Sequence, residues 1–242
     1  MLGRVSAWTA GELIGFDLET TGVDRFNDVP VSYALVYAIG GRIRVSWSGL
    51  VEPGRAIPEG ATAVHGITDE QTRTQGMPLR EAIALLCDVV LSASGRGVPL
   101  VGMQLDYDLT MLQTQAQRLC EEGIVERGWC GPVLDVAVLD RHYDPDRQGR
   151  RTLTALCDHY GVDIGNAHDA RADAVASMNV LLALASHHRE LREADPCALH
   201  RAQVLWHRQW VRRCDDRRAE GTIALDPRDY VWPVAPPVAP AA

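Results

Sequence analysis

Two carboxylates set inside an apolar run constrain this chain more than any other feature. Leu13-Ile14-Gly15-Phe16 leads directly into Asp17-Leu18-Glu19-Thr20-Thr21-Gly22, the pattern of a buried strand that ends in acids. Side chains alternate along a strand, so Asp17 and Glu19 share one face while Phe16 and Leu18 point into the opposite layer. Two acids side by side repel unless a cation sits between them. Strand ends also carry acids by chance, so the pair asks for metal only if the rest of the chain agrees.

The following segments set the fold class. Residues 31–39 and 42–51 are β-branched and aromatic runs joined through Gly40-Gly41, the signal of a β-hairpin. Helical periodicity occupies 78–92 behind Pro78, and 98–101 reads as a short buried strand. A helix is expected over about 108–121, a fifth strand over 133–136 after the Gly131-Pro132 break, and further helices over 152–160 and 170–185. Strands in a hairpin and then alternating with helices predict an α/β fold, a mixed central sheet of about five strands flanked by helices.

Beyond about residue 186 the character changes. We divide the chain into a main domain, 1–188, and an extension, 189–242, with one Arg-, His- and Trp-bearing helix over about 197–220 and a Pro/Ala-rich tail. Leu199, Trp206 and Trp210 share a stripe that predicts packing against the main domain. Gln203-Val204-Leu205-Trp206 faintly resembles a short sliding-clamp-binding peptide, although in a helical context. The tail 233–242 is expected to be mobile, with Tyr230 and Trp232 anchoring the segment before it.

Composition excludes several classes. With 242 residues, 46% apolar and 23% charged, the chain reads as an ordinary soluble globular protein. Neither a membrane span nor a signal peptide is visible, which leads us to expect a cytoplasmic protein. The six cysteines form no C-x-x-C pair, against a zinc ribbon or disulfide framework. A net charge of -8 does not suit a protein that coats duplex nucleic acid, yet it allows an enzyme holding one strand end. Every one of the 24 basic residues is arginine, a planar phosphate donor.

Two further clusters complete the chemistry. In Val101-Gly102-Met103-Gln104-Leu105-Asp106-Tyr107-Asp108 a strand runs into a helix start, so Asp108 can project at the carboxyl edge of the sheet. In His168-Asp169-Ala170-Arg171-Ala172-Asp173-Ala174 the last acid lies about a turn inside an apolar helix. Five residues turn about 140° on a helix, which places His168 on the loop before it rather than on the face of Asp173.

Together these segments resemble the DEDD exonuclease family, which includes the proofreading exonuclease of bacterial DNA polymerase III, RNase T and oligoribonuclease. The likeness covers about residues 11–185. FDLETTG matches the first family motif, HDARADA fits the third, and Ala63-Val64-His65-Gly66-Ile67-Thr68 looks like the VHGIT segment bordering the 3′-terminal nucleotide. His168, with Asp169 where a sister branch carries Tyr, is similar to the histidine subclass. The second motif departs: Met103-Gln104 stands where relatives carry His-Asn, with Tyr107-Asp108 retained.

The resemblance implies a ribonuclease H-like three-layer fold and a metal-dependent 3′→5′ exonuclease that releases nucleoside 5′-monophosphates, with DNA favoured over RNA. It implies that Asp17, Glu19, Asp108 and Asp173 hold two ions, Mg²⁺ or Mn²⁺, about 3.5 to 4 Å apart. His168 would be the general base, active as neutral imidazole and silenced by acid. Leu18, Thr20 and His65 would touch the terminal nucleotide, and Asp135 would support the ligands from behind. An exoribonuclease, a non-catalytic nucleic-acid-end or polymerase-associated module, and a nucleotide phosphatase remain as alternatives. From the residues alone, Arg147, Arg150 and Arg151 form a basic loop that either guides phosphates or is simply solvated, and the arginines after residue 200 leave room for nucleic acid, a homodimer or a polymerase partner.

Overall fold

A nine-residue strand passes through the middle of the molecule and carries the Asp-x-Glu pair at its end. In the computed structural model, which describes residues 8–218 and 226–236, β1 (Glu12–Thr20) pairs antiparallel with β2 (Pro30–Ile39), and β2 pairs antiparallel with β3 (Arg42–Glu52). The β2–β3 turn uses Gly40 and Gly41 at φ 59° and 72°, the left-handed conformation a two-residue hairpin needs. Helices α1 (Glu59–His65) and α2 (Asp69–Gln75) follow, then a two-residue strand β4 (Met77–Pro78) beside β3. The chain continues through α3 (Leu79–Arg96), β5 (Leu100–Gly102), α4 (Leu105–Cys120) and β6 (Val133–Asp135). It closes with α5 (Val136–Tyr143), α6 (Leu153–Tyr160), α7 (Ala170–His187), α8 (Arg189–Glu193) and α9 (Pro196–Arg218).

The sheet is mixed, in the order β4-β3-β2-β1-β5-β6, with β5 and β6 parallel to β1. Six strands stand where about five were expected, because β4 is too short to leave a periodic trace. On one face Phe16, Leu18 and Leu35 pack with α3 and α4; on the other Leu13, Ala34 and Val36 pack with α6 and α7. The even residues of β1 thus enter one core and the odd residues the other, as alternation requires.

Two glycines set how closely helices approach β1. A Cβ on Gly15 would lie 2.6 Å from Met178 Sδ and 3.1 Å from the Ala174 carbonyl, so α7 can cross the strand only where no side chain intervenes. At Gly102 a Cβ would meet Phe16 O at 2.6 Å, which is how the β5–α4 turn reaches the carboxyl end of β1.

Several boundaries move. The helix expected from 108 begins at Leu105, so Asp106 and Asp108 both lie in its first turn. The fifth strand expected over 133–136 ends at Asp135, whose carboxylate turns the chain into α5 by accepting the N–H of Ala137 (2.8 Å) and Val138 (3.3 Å). The long helix expected over 197–220 is α9, and residues 219 and 220 fall outside the described residues. The tail is not wholly free: Trp232 is buried in the first core, and Ala235 N–H donates to Thr110 Oγ1 at 2.9 Å. Residues 237–242 fall outside the described residues.

Helix α9 closes the β6 edge of the sheet. The Gln203 side chain, fully buried, accepts the Asp135 N–H at 2.9 Å and donates to the Val133 carbonyl at 2.7 Å. Beside it His200 Nδ1 accepts the Val133 N–H at 3.2 Å. Two side chains therefore satisfy an edge that would otherwise present open backbone groups. Gln203 is committed to the sheet, which removes the reading of 203–206 as a clamp-binding peptide.

Candidate active site

Three elements bring the four acids together. Asp17 and Glu19 leave the odd face of β1, Asp173 descends from the first turn of α7 where Gly15 lets that helix approach, and Asp108 comes from the first turn of α4. Asp108 Oδ1 accepts the N–H of Leu18, the residue between the two strand acids, at 3.0 Å. The turn that supplies Asp108 is held by Asp135, which accepts the N–H of Gln104 (3.2 Å) and of Leu105 (2.9 Å). Asp135 thus supports the cluster by fixing the start of two helices.

His168 sits on the loop before α7, as its spacing from Asp173 predicts, with φ 65°. Its backbone N–H donates to Asp173 Oδ2 at 3.2 Å. One ligand-capable atom each from Glu19, His168 and Asp173 lies within 4.8 Å of the others, and Asp173 Oδ1 is buried with no hydrogen-bond partner. His168, Glu19, Asp169, His65 and Ile67 line a cleft of about 240 Å³.

Electrostatics marks the cluster as incomplete by itself. Burial, then repulsion from Asp108, Asp173 and Glu19, holds the Asp17 carboxyl well above the usual carboxylate range. Burial and the charges of Asp173 and Asp169 push Glu19 to about 8. Asp108 is raised well above its ordinary value by burial, against the opposing Leu18 N–H, and Asp173 is raised by burial, against the opposing His168 N–H. Hard oxygen donors, mutual repulsion and an orphaned carboxylate oxygen fit a divalent cation.

The residues proposed from sequence to touch a nucleotide are placed differently from one another. Thr20 Oγ1 donates to the Gly22 carbonyl at 2.7 Å and lies 3.0 Å from the Tyr107 hydroxyl, tying β1 to α4. His65, at the end of α1, accepts the Ile67 N–H on Nδ1 at 3.0 Å and leaves Nε2 buried and unpartnered across the cleft from His168. The Leu18 side chain belongs to the opposite core and is 7% exposed. Of the basic loop, Arg147 and Arg151 are held by the fully buried Asp140, leaving only Arg150 turned to solvent. Asp169 was not singled out as a site residue: it caps α7, accepting the Ala172 N–H at 3.0 Å, and adds charge to Asp17 and Glu19.

A protein family described as "Exonuclease" matches residues 14–181, a span that holds all four acids and His168. The chain belongs to the exonuclease family. A DNA polymerase III subunit epsilon-like protein of Rhodobacter capsulatus is 33% identical over 175 residues, 70% of this chain and 23% of that protein. A DNA polymerase III PolC-type protein of Lacticaseibacillus paracasei is 26% identical over 177 residues, 72% of this chain and 11% of that one. Among solved structures, E. coli Exonuclease I in complex with a dA16 oligonucleotide matches with a TM-score of 0.66 at 17% identity, over 82% of this chain and 44% of the other. The chain therefore spans less than half the length of each of these exonuclease-family relatives. The family match bears out the resemblance to the DEDD exonucleases, and the likeness to Exonuclease I bears out the ribonuclease H-like fold. Among the described residues, no helix is long and apolar enough to cross a membrane.

Proposed function

We propose that the chain is a divalent-metal-dependent 3′→5′ exonuclease that shortens single-stranded DNA and releases nucleoside 5′-monophosphates. The observation that carries this is the convergence of Asp17, Glu19, Asp108 and Asp173, all with raised carboxyl pKa, beside His168 on its own loop. Asp17, Glu19, Asp108 and Asp173 are the residues that would hold two ions, Mg²⁺ or Mn²⁺ by their oxygen donors. When bound, the cations supply positive charge that favours hydroxide over water and stabilises the departing 3′ oxygen. His168 accepts the proton of the attacking water at its imidazole as the water oxygen bonds to phosphorus and the bond to the 3′ oxygen breaks. Asp173 steadies the His168 loop through the backbone N–H. His65 and Thr20 would meet the terminal nucleotide across the cleft, with Leu18 acting through its backbone.

DNA is favoured because the Exonuclease I structures similar to this chain include complexes with dA16 and dT13 oligonucleotides, and because the matched relatives include DNA polymerase III proteins. The test is digestion of a 5′-labelled single strand with Mg²⁺ or Mn²⁺, set beside matched RNA and a recessed duplex. A ladder shortening from the 3′ end is expected on DNA. No ladder on any substrate in either metal overturns the proposal, and a ladder on RNA alone moves it to an exoribonuclease.

A further inference from the structure

Away from the carboxylate cluster one arginine lies between two helices, facing the charges of Asp135 and Asp106 without a direct contact to either. Arg141, on α5, is half-buried with its guanidinium 3.8 Å from the Trp210 ring of α9. Among the described residues no hydrogen bond or ion pair holds it. Its neighbours differ: Arg25 bridges Asp106 (3.0 Å) and Asp229 (2.7 Å), and Arg228 is paired with Asp226. A guanidinium lying flat on an indole keeps its in-plane N–H donors free for a second, anionic partner.

Arg141 stands where two cavities meet. The smaller, about 250 Å³ between α5 and α9, is lined by Arg141, His142, Trp206, Trp210 and Arg213, and by no carboxylate. That stands out in a chain of net charge -8. The larger, about 650 Å³, shares Arg141, His207 and Trp210 with it and reaches Gln104 and Tyr107, beside Asp108. The acids lining this larger cavity are engaged: Asp135 by the N–H groups of α4 and α5, Asp106 and Asp229 by Arg25, Asp226 by Arg228, and Asp24 by Asn27. The two cavities thus adjoin from the turn that carries Asp108 to an aromatic ledge where His142 stacks on Trp206 at 3.6 Å and 12°.

We propose that this α5–α9 cleft is a second contact site for a single strand of nucleic acid, behind the 3′ terminus: Arg141 holds a backbone phosphate, and a base stacks on the His142–Trp206 ledge. It rests on the nuclease reading for its direction. Half of the site comes from α9, beyond residues 14–181 matched by the family, so it belongs to this chain's own extension. Phosphate and a base face are the two things a planar cation and exposed rings recognise without regard to sequence.

The experiment measures binding of fluorescein-labelled single strands of about 3, 6, 12 and 24 nucleotides in EDTA, where no cleavage intervenes, against salt concentration. Wild-type affinity is expected to rise with length. Arg141→Ala and Trp206→Leu should weaken the longer strands by about 10-fold and leave the shortest unchanged. Arg141→Ala should also lower the slope of log affinity against log salt by about 0.7, and Arg141→Lys should restore that slope. If Arg141→Ala fails to fold, as a melting curve would report, Arg141→Gln and His142→Ala carry the same comparison. Unchanged length dependence and salt slope in the variants, or equal losses on the shortest and longest strands, overturn the site. Cleavage of the same strands with Mg²⁺ separates the two ideas: no ladder, with length-dependent binding still sensitive to Arg141, sinks the nuclease reading and keeps the contact site.

Discussion

The N–H of Leu18 and Oδ1 of Asp108 are 3.0 Å apart, so the strand bearing two of the acids and the helix bearing a third are fastened at the residue between the first two. Asp108→Asn keeps an oxygen for that N–H and removes a charge whose carboxyl is raised by burial. It should abolish nuclease activity while raising the melting temperature of the metal-free protein, by about 2–4 °C for each kcal/mol of charge burial relieved. Asp108→Ala orphans the Leu18 N–H, on the order of 1–3 kcal/mol, and should melt below Asp108→Asn. Equal melting of the two variants would show that the bond contributes nothing.

His168→Ala should lower turnover by about 10²- to 10⁴-fold and leave divalent-metal affinity, measured by calorimetry, close to wild type. An equal loss of both places the imidazole among the metal ligands, which its position within 4.8 Å of Glu19 and Asp173 makes a fair contest.

Metal dependence and pH are linked through Glu19. Its folded carboxyl titrates near 8 against an ordinary 4.5, so between those values the folded state binds more protons than the unfolded one. In EDTA the protein should lose stability as pH rises from about 4.5 to 8, the sign set by that proton excess. Added Mg²⁺ should raise the melting temperature more at pH 8 than at pH 5, because protons then compete for the same oxygens. A larger metal-induced shift at pH 5 would contradict the link.

His200 pulls the other way. Burial between Trp129 and Trp232 lowers it from 6.5 to about 4, and its Nδ1 must stay unprotonated to accept the Val133 N–H. The unfolded chain takes up the proton first, so this residue's contribution is complete above about 6.5 and is lost as pH falls towards 4. His200→Gln should flatten that acid limb of the stability profile relative to wild type; an unaltered limb would place its origin elsewhere.

Gln203→Ala leaves the Asp135 N–H and the Val133 carbonyl without their partner. The expected destabilisation is on the order of 1–3 kcal/mol for each group, read from denaturant midpoints. Since Asp135 fixes the α4 turn that carries Asp108, catalytic rate should fall with it even at temperatures where the variant stays folded, and Gln203→Glu, which retains the acceptor for Asp135, should recover part of the rate.

The hairpin, the long helices and the acid-bearing strand were legible because their periods run over many residues, and the four acids because their motifs are local. Other parts were hidden for identifiable reasons. Met77-Pro78 is too brief for a period. α5 lay behind a strand-like run of valines, where Asp135 ends one element and caps the next. α2 carried a readable signal in Thr68 and Gln71, whose reciprocal bonds form a capping box, and Asp169 could have been read as the cap of α7. The work of His200 and Gln203 was illegible, since a polar residue on a helix shows no sign that it will stand in for a neighbouring strand. Gln104 adopts φ 59°, a conformation Asn tolerates better; only the backbone shows why the length of an amide side chain matters there.

The family match ends at residue 181, whereas the side chains that finish the sheet lie at 200 and 203. A fragment trimmed to the matched span would keep every candidate catalytic group and still leave one rim of its sheet bare, a template for strands from other molecules. What is recognisable as kin and what completes the sheet are, in this chain, two different lengths of polypeptide.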